Sequence, residues 1–280
     1  MQSLLEILRK TEAYFAAKGI ESPKVEAEWL MAHVLGCRRL ELYLQFDRPM
    51  TEVQLDALRP LVARRGRREP LAYLLGTSEF AGLTLTCDRR ALIPRPETEE
   101  LVDLVAERMK GRAALAILDL GTGTGAIALA LAKALPTAAV TAVDASAQAL
   151  ALARENAEAN GLADRVTFAD GDWFAGVSGP FDAVVSNPPY LTEAEFASAQ
   201  PEVREFEPRG ALVSGVDGLD ALRRVVTEAP RFLNTGGFLA LETGIAQHAA
   251  LADLAGSAGF RKWESRRDLA RRDRFFLASV

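Results

Sequence analysis

The tetrapeptide Asn187-Pro188-Pro189-Tyr190 is the stretch of this 280-residue chain best suited to hold a planar –NH2 group. Proline at 188 keeps Asn187 out of the helical region, and both rings fix their own φ. The resulting turn is stiff and offers carbonyl oxygens with no competing N–H from either proline. The Asn187 side-chain oxygen and the Pro188 carbonyl can then accept both hydrogens of one amino or amide nitrogen. Tyr190 supplies an aromatic face for the group that carries it. The plain alternative is a proline-stiffened strand end without a ligand.

A second constellation is Asp119-Leu120-Gly121-Thr122-Gly123-Thr124-Gly125. Glycines between a strand and a helix permit a tight turn and let a ligand approach the backbone, with the helix N-terminus behind it. Asp144 follows about twenty residues on, at the end of the next apolar run, where an acid can bind ribose hydroxyls. Asp170-Gly171-Asp172-Trp173 closes a third run, and there a carboxylate and an indole can hold an adenine ring. Each has a plainer reading: a bare glycine turn, a helix cap at Asp144 in competition with Ser146, a core aromatic at Trp173. Together the three strand ends outline a nucleoside-shaped ligand.

The elements that must carry these residues follow from periodicity. Strand patterns run through 115–120, 139–143, 165–169, 181–186, 237–242, 260–265 and 274–278, with helical patterns opening near Thr124, Ser146, Gly218 and Gln247. This alternation predicts an α/β fold with a doubly wound, mostly parallel seven-stranded sheet. The last two strands have no helix between them and are expected as an antiparallel edge pair. In such a sheet the order reverses beside the first strand, which sets the Asn-Pro-Pro-Tyr turn next to the glycine loop.

Residues 1–75 carry helical signals only, and predict a small all-α domain. Leu4, Ile7, Leu8 and Phe15 share a face ended by Gly19; Ser22-Pro23 reads as an N-cap, with Val25, Trp29, Leu30 and Val34 following at helical spacing up to Gly36. Thr51 and Gln54 form a capping box ahead of Leu55, Leu58 and Val62. From 76 to 95 the period becomes two, and strands at 83–88 and 91–93 predict a β-hairpin linker. The catalytic domain is expected from 96 to 280.

Composition narrows the field. Lys and Arg total 33 against 38 Asp and Glu, so a general polyanion or membrane coat is disfavoured. Cys37 and Cys87 read as free thiols, and His33 and His248 are the only histidines, so a zinc cluster or histidine triad lacks material and no metal is expected. Charges near the start, where a signal peptide is apolar, together with no long apolar run, predict a soluble cytoplasmic protein.

The Asp-Leu-Gly-Thr-Gly-Thr-Gly loop, a strand-ending acid and Asn-Pro-Pro-Tyr, in this order, resemble S-adenosylmethionine-dependent methyltransferases of exocyclic or amide nitrogen. More narrowly, the chain resembles the release factor glutamine methyltransferase (HemK/PrmC) family over nearly its whole length. Pro94-Arg95-Pro96-Glu97-Thr98-Glu99, Glu207-Pro208, Gly215 with Gly218-Leu219, Leu241-Glu242 with Gly244 and Gln247, and Asp268-Leu269-Ala270 with Asp273-Arg274 carry the likeness. The resemblance implies a class I, Rossmann-like methyltransferase domain behind a helical substrate-recognition domain. It implies that the glutamine amide of the Gly-Gly-Gln motif in class I peptide chain release factors is methylated. Gly121, Thr122, Gly123, Thr124, Gly125, Asp144, Asp172, Trp173 and Asn187 would bind S-adenosylmethionine, which leaves as S-adenosylhomocysteine. Asn187 and Pro188 would grip the substrate amide, with Pro189 beside them and Tyr190 packed on the glutamine side chain.

Other readings stay open at this stage: an adenine-N6 methyltransferase of DNA or RNA, a ribosomal-protein glutamine methyltransferase, an NAD(P) oxidoreductase, or a cofactor-binding adaptor without turnover. Sequence-specific nucleic-acid binding is not expected from the net acidity. Residues 59–69 and 261–274 nonetheless hold basic clusters, each with a net charge of +4. They are expected either as solvated faces or as contacts to an acidic surface of the protein substrate.

Overall fold

The computed structural model describes residues 2–280, and contacts divide it into two compact units. The smaller comprises the chain up to Thr77 together with Gln200–Phe206; the larger comprises Ser78–Ala199 and Glu207–Val280. No helix among the described residues is long and apolar enough to cross a membrane.

The smaller unit is helical: α1 (Leu4–Ala17), α2 (Pro23–Leu35), α3 (Glu52–Gly66) and α4 (Leu71–Leu75), with a 3₁₀ turn at Arg39–Leu44. Capping boxes start α1 and α3. Ser3 Oγ and Thr51 Oγ1 accept from the N3 backbone, while Glu6 and Gln54 reach back. Ser22 precedes α2 but makes no side-chain cap; Pro23 sets the first turn, and Gly36 in the left-handed region stops it. The buried face of α2 runs through Ala27, Leu30 and Met31, whereas Val25 and Trp29 are about two-fifths exposed. Leu4, Leu8, Phe15, Leu30, Met31, Leu42 and Leu58 form one core.

The expected basic face at 59–69 is largely consumed inside this unit. Arg65 is buried, and its guanidinium bonds Glu26 and, at 2.8 Å, Glu202. Arg68 meets Glu202 at 2.6 Å, and Arg64 meets Glu69 at 2.7 Å. Neither a solvated face nor a docking patch describes Arg65: acids distant in sequence neutralise it.

A hairpin follows, β1 (Thr77–Phe80) and β2 (Leu83–Thr86), all of it but Thr77 in the larger unit. The hairpin thus falls one step earlier than its sequence pattern indicated. Residues 91–93 form no strand, because Ile93 N donates to the Glu207 carboxylate at 3.1 Å instead of to a ladder. Then come α5 (Pro96–Met109), β3 (Ala116–Leu120), α6 (Ala126–Ala134), β4 (Ala139–Asp144), α7 (Ala147–Ala159), β5 (Val166–Asp170) and β6 (Phe181–Ser186). Short helices α8 (Glu193–Ser198) and α9 (Pro201–Phe206) follow, the second belonging to the smaller unit. The chain ends with α10 (Asp220–Glu228), β7 (Leu233–Glu242), α11 (His248–Ala258), β8 (Lys262–Arg267) and β9 (Asp273–Ser279).

The seven-stranded sheet has the order β5-β4-β3-β6-β7-β9-β8. The first five are parallel neighbours, and β9 runs antiparallel between β7 and the edge strand β8. Apolar residues cover both faces, which is why stretches such as residues 238–241 of β7 read as continuous apolar runs. Leu101, Val105 and Leu129 pack on one side; Leu222, Val226 and Leu251 pack on the other. The order reverses between β3 and β6, and a crevice opens there beyond the strand ends.

Candidate active site

The two chemical motifs are neighbours because their strands are. Leu120 pairs with Ser186, and Ser186 Oγ donates to the Leu120 carbonyl at 2.6 Å, so the glycine loop and the Asn187 turn share one root. A cavity of about 520 Å³ opens above them, within the range of small-molecule sites. Its walls come from residues 90–95 and Thr98, the glycine loop, Asp144–Ser146, Gly171–Trp173, Asn187, Pro189 and the 208–211 segment.

The loop itself needs glycine. Gly121 and Gly123 have φ of +71° and +57°, a region that other residues enter only with strain. Gly121 N and Thr122 N donate to the Val143 carbonyl at 2.9 and 3.0 Å, tying the loop to β4. Asp144 closes it from the other side: Oδ2 accepts from Gly123 N and Oδ1 from Ser146 N, both at 2.9 Å. Helix α7 is capped by Ser146 Oγ, so Asp144 is left to the loop and cavity. Asp119 lies behind, fully buried, with Oδ2 accepting from Thr122 Oγ1 at 2.7 Å and from Ala128 N at 3.2 Å. Burial, reinforced by the charge of Asp144, pushes its carboxyl up to about 7 against the opposing pull of those hydrogen bonds.

Several expected site residues have other partners. Gly125 is not part of the cavity wall: a Cβ there would stand 3.2 Å from Leu129 Cδ1 and 3.3 Å from Ala153 Cβ, so this glycine serves packing of α6 against α7. Thr124 lines the cavity, and its carbonyl accepts from buried Asn156 Nδ2 at 2.9 Å. The Asp172 carboxylate is turned to Arg224 at 2.6 Å, although its residue borders the cavity. Trp173 faces the glycine loop, with its ring 3.9 Å from where a Gly121 Cβ would be.

Within the turn, Asn187 and Pro189 line the cavity, whereas Pro188 is buried and Tyr190 stands behind the wall. Tyr190 donates its hydroxyl to Glu242 Oε1 at 3.2 Å, and the Arg274 guanidinium lies 5.9 Å from its ring centre. Burial and the nearby Glu242 charge push its phenol upward. Tyr190 does not line this cavity, and its hydroxyl is held by Glu242.

The sequence reading missed the residues that hold the turn. Asn187 Nδ2 donates to Thr98 Oγ1 at 3.1 Å, and Thr98 Oγ1 donates to Glu242 Oε2 at 2.7 Å. Gln247 Nε2 donates to the Tyr190 and Gly218 carbonyls, both at 2.9 Å. Buried Glu207 accepts from Arg95 Nη2 at 2.5 Å, fixing the arm that walls the cavity. The signal for them lay in the family motifs around Thr98, Glu207, Glu242 and Gln247, which marked the positions without giving their roles.

Known proteins resemble this chain over nearly its whole length. Residues 6–76 match the family model described as the PrmC N-terminal domain, and residues 98–202 match the methyltransferase small domain. The chain is 46% identical, over 92% of its length and 90% of the relative's, to the release factor glutamine methyltransferase of Geobacter sulfurreducens. It is 45% identical, over 98% of both chains, to that of Deinococcus radiodurans. In fold it resembles the crystal structure of a methyltransferase from Pyrococcus furiosus, with a TM-score of 0.52 and 19% identity, over 71% of this chain and 90% of that one.

Proposed function

The chain belongs to the release factor glutamine methyltransferase family, and we propose that its cavity is where the glutamine of a class I peptide chain release factor is methylated. The acceptor is the side-chain amide nitrogen of the glutamine in the Gly-Gly-Gln motif, and the donor is S-adenosylmethionine. The observation that carries this reading is the shared root of the glycine loop and the Asn187 turn on β3 and β6.

The residues present suit an adenosyl cofactor. Gly121 and Gly123 leave backbone bare at the cavity floor, Asp144 brings a carboxylate for ribose hydroxyls, and Trp173 brings an aromatic wall for adenine. When bound, the cofactor supplies an electrophilic methyl group on a sulfonium and leaves as a neutral thioether.

The protein's own task is orientation. An amide nitrogen is a poor nucleophile because its lone pair is delocalised into the carbonyl. Asn187 Oδ1 and the Pro188 carbonyl would together accept both amide hydrogens and aim the nitrogen, a proximity effect of large potential size. The same two oxygens stabilise positive charge as it grows on nitrogen. A methylated, still protonated amide nitrogen is strongly acidic, so its proton passes to solvent without a dedicated base. The helical unit would contribute to recognition of the release factor. Release factors act at ribosomes, so this reading makes the chain a cytoplasmic enzyme.

Purified release factor incubated with the chain and labelled cofactor tests the reading by mass spectrometry. One methyl group on the Gly-Gly-Gln glutamine nitrogen is expected. An unlabelled release factor beside labelled adenine in added DNA or RNA would overturn it.

A further inference from the structure

The hydrogen bonds behind Asn187 run in one direction, and that direction decides which end of its amide meets the cavity. Thr98 Oγ1 carries a single proton and spends it on Glu242 Oε2 at 2.7 Å. Toward Asn187 it can therefore only accept, and it does so from Nδ2 at 3.1 Å. With Glu242 ionised its oxygens only accept, so the chain runs from Asn187 through Thr98 to Glu242. A flipped Asn187 would set Oδ1 against the Thr98 lone pairs. Alternatively it would take the Thr98 proton and leave a buried carboxylate oxygen short of a donor, which is costly.

We propose that Thr98 and Glu242 are positioning residues for the transfer: they lock Asn187 with Oδ1 toward the cavity, so that the site takes the nitrogen end of a glutamine amide and refuses its oxygen end. Glutamine offers –NH2 and C=O at nearly the same position. A turn that merely held an asparagine would bind both, and only the first presents the atom that reacts. The inference rests on the reading that Asn187 receives the substrate amide. Glu242 is suited to the task because other groups fix it in turn. Tyr190 donates to its second oxygen at 3.2 Å, the Arg274 guanidinium draws it toward the ionised form, and Glu97 on α5 opposes that. Burial is the largest influence on its carboxyl and raises it, and the hydrogen bond from Thr98 is the first of the groups that pull the other way.

Release-factor methylation at saturating cofactor by the unaltered chain, Thr98→Val, Thr98→Ser and Asn187→Ala tests the proposal. Thr98→Val keeps the shape and removes the hydroxyl; kcat is expected to fall about tenfold or more, with cofactor affinity by calorimetry unchanged. Thr98→Ser keeps the hydroxyl and restores most of the rate. A second readout needs no turnover. The Asn187 side-chain NH2 signals in nitrogen-correlated NMR, assigned by their absence in Asn187→Ala, keep their shifts in Thr98→Ser and move in Thr98→Val. If Thr98→Val does not fold, Thr98→Ala takes its place in both measurements. A kcat within about twofold of the unaltered chain, or unmoved Asn187 signals, overturns the relay even when Asn187→Ala is inactive. Full activity of Asn187→Ala would instead overturn the reading beneath it.

Discussion

A Cβ placed on Gly218 would overlap the carbonyl oxygen of Tyr190 and stand 2.8 Å from Gln247 Nε2. The backbone before α10 thus presses directly on the turn that carries Asn187, and Gln247 clamps the two carbonyls together. Gly218 also has φ of +72°, so a side chain there is strained whatever the space. Gly218→Ala is expected to cost about 2–3 kcal/mol in stability and to lower kcat by displacing the turn. Calorimetric unfolding and steady-state kinetics check the two effects; an unchanged kcat would show that the clamp is not needed to place Asn187.

Asn187→Ala removes the acceptor at the cavity and leaves Thr98 without its donor. Loss of a preorganised contact to developing charge is expected to lower kcat about 100- to 1,000-fold. Titration calorimetry with S-adenosylmethionine should give nearly unchanged affinity, because Asp144 and the glycine loop stay as they are. A parallel loss of cofactor binding would assign Asn187 to the cofactor rather than to the amide.

What the sequence made legible was local. Apolar runs punctuated by Gly and Asp marked the inner strands of the large sheet, while the exposed edge strand β8 was placed two residues early, and the order reversal next to β3 brought Asn187 beside Gly121. The hairpin was misread because Ala91-Leu92-Ile93 is apolar and looks like a strand, whereas Thr77–Phe80 holds a single buried apolar residue. Its turn, Ala81-Gly82, has φ of +47° and +70°, a conformation alanine adopts rarely enough to hide it. Thr98 and Glu242 were illegible for another reason. Their bond spans 144 positions, and each alone looks ordinary: a first-turn threonine and a strand-ending acid. Nothing in spacing announces that β7 ends opposite the start of α5. The Arg64 to Arg68 cluster misled similarly, since the acid that neutralises Arg65 and Arg68 lies at 202.

Arg65 therefore predicts a stability effect and not a docking effect. Its side chain is 4% exposed, and its guanidinium is shared between Glu26 and Glu202. Arg65→Ala would strand the Glu26 carboxylate and leave Glu202 to Arg68 alone, a loss expected at about 3 kcal/mol. Arg65→Met, which refills the volume, does not relieve that charge and should recover only part. Thermal unfolding reads the change. A variant as stable as the unaltered chain would mean the acids find water instead.

Asp144→Ala takes the acceptor from Gly123 N and Ser146 N together with the carboxylate from the cavity. Cofactor affinity is expected to weaken by about 2 kcal/mol, the scale of a hydrogen bond to a charged group, which is roughly thirtyfold in Kd. Calorimetry with S-adenosylmethionine measures it directly. Helix α7 should keep its start, because Ser146 supplies the cap, so circular dichroism should change little. An unaltered Kd would confine Asp144 to closing the loop.

Asp119 makes stability depend on pH in a direction that can be worked out. In the folded chain its carboxyl is raised from 3.8 to about 7, while unfolding returns it to the ordinary range near 4. The folded state therefore holds a proton that the unfolded state releases. The resulting contribution to stability is complete below about pH 4 and is lost as pH rises through about 7. Above that, a charge is buried with Oδ1 unpartnered among the described residues and with Asp144 nearby. Thermal unfolding should fall between slightly acid and slightly alkaline buffer by an amount worth a few kcal/mol at most. Asp119→Asn keeps an oxygen for Thr122 and Ala128 but cannot ionise, and it should flatten that slope. If the slope persists unchanged in Asp119→Asn, the proton is held elsewhere, with the buried and likewise raised Glu242 the first carboxyl to test.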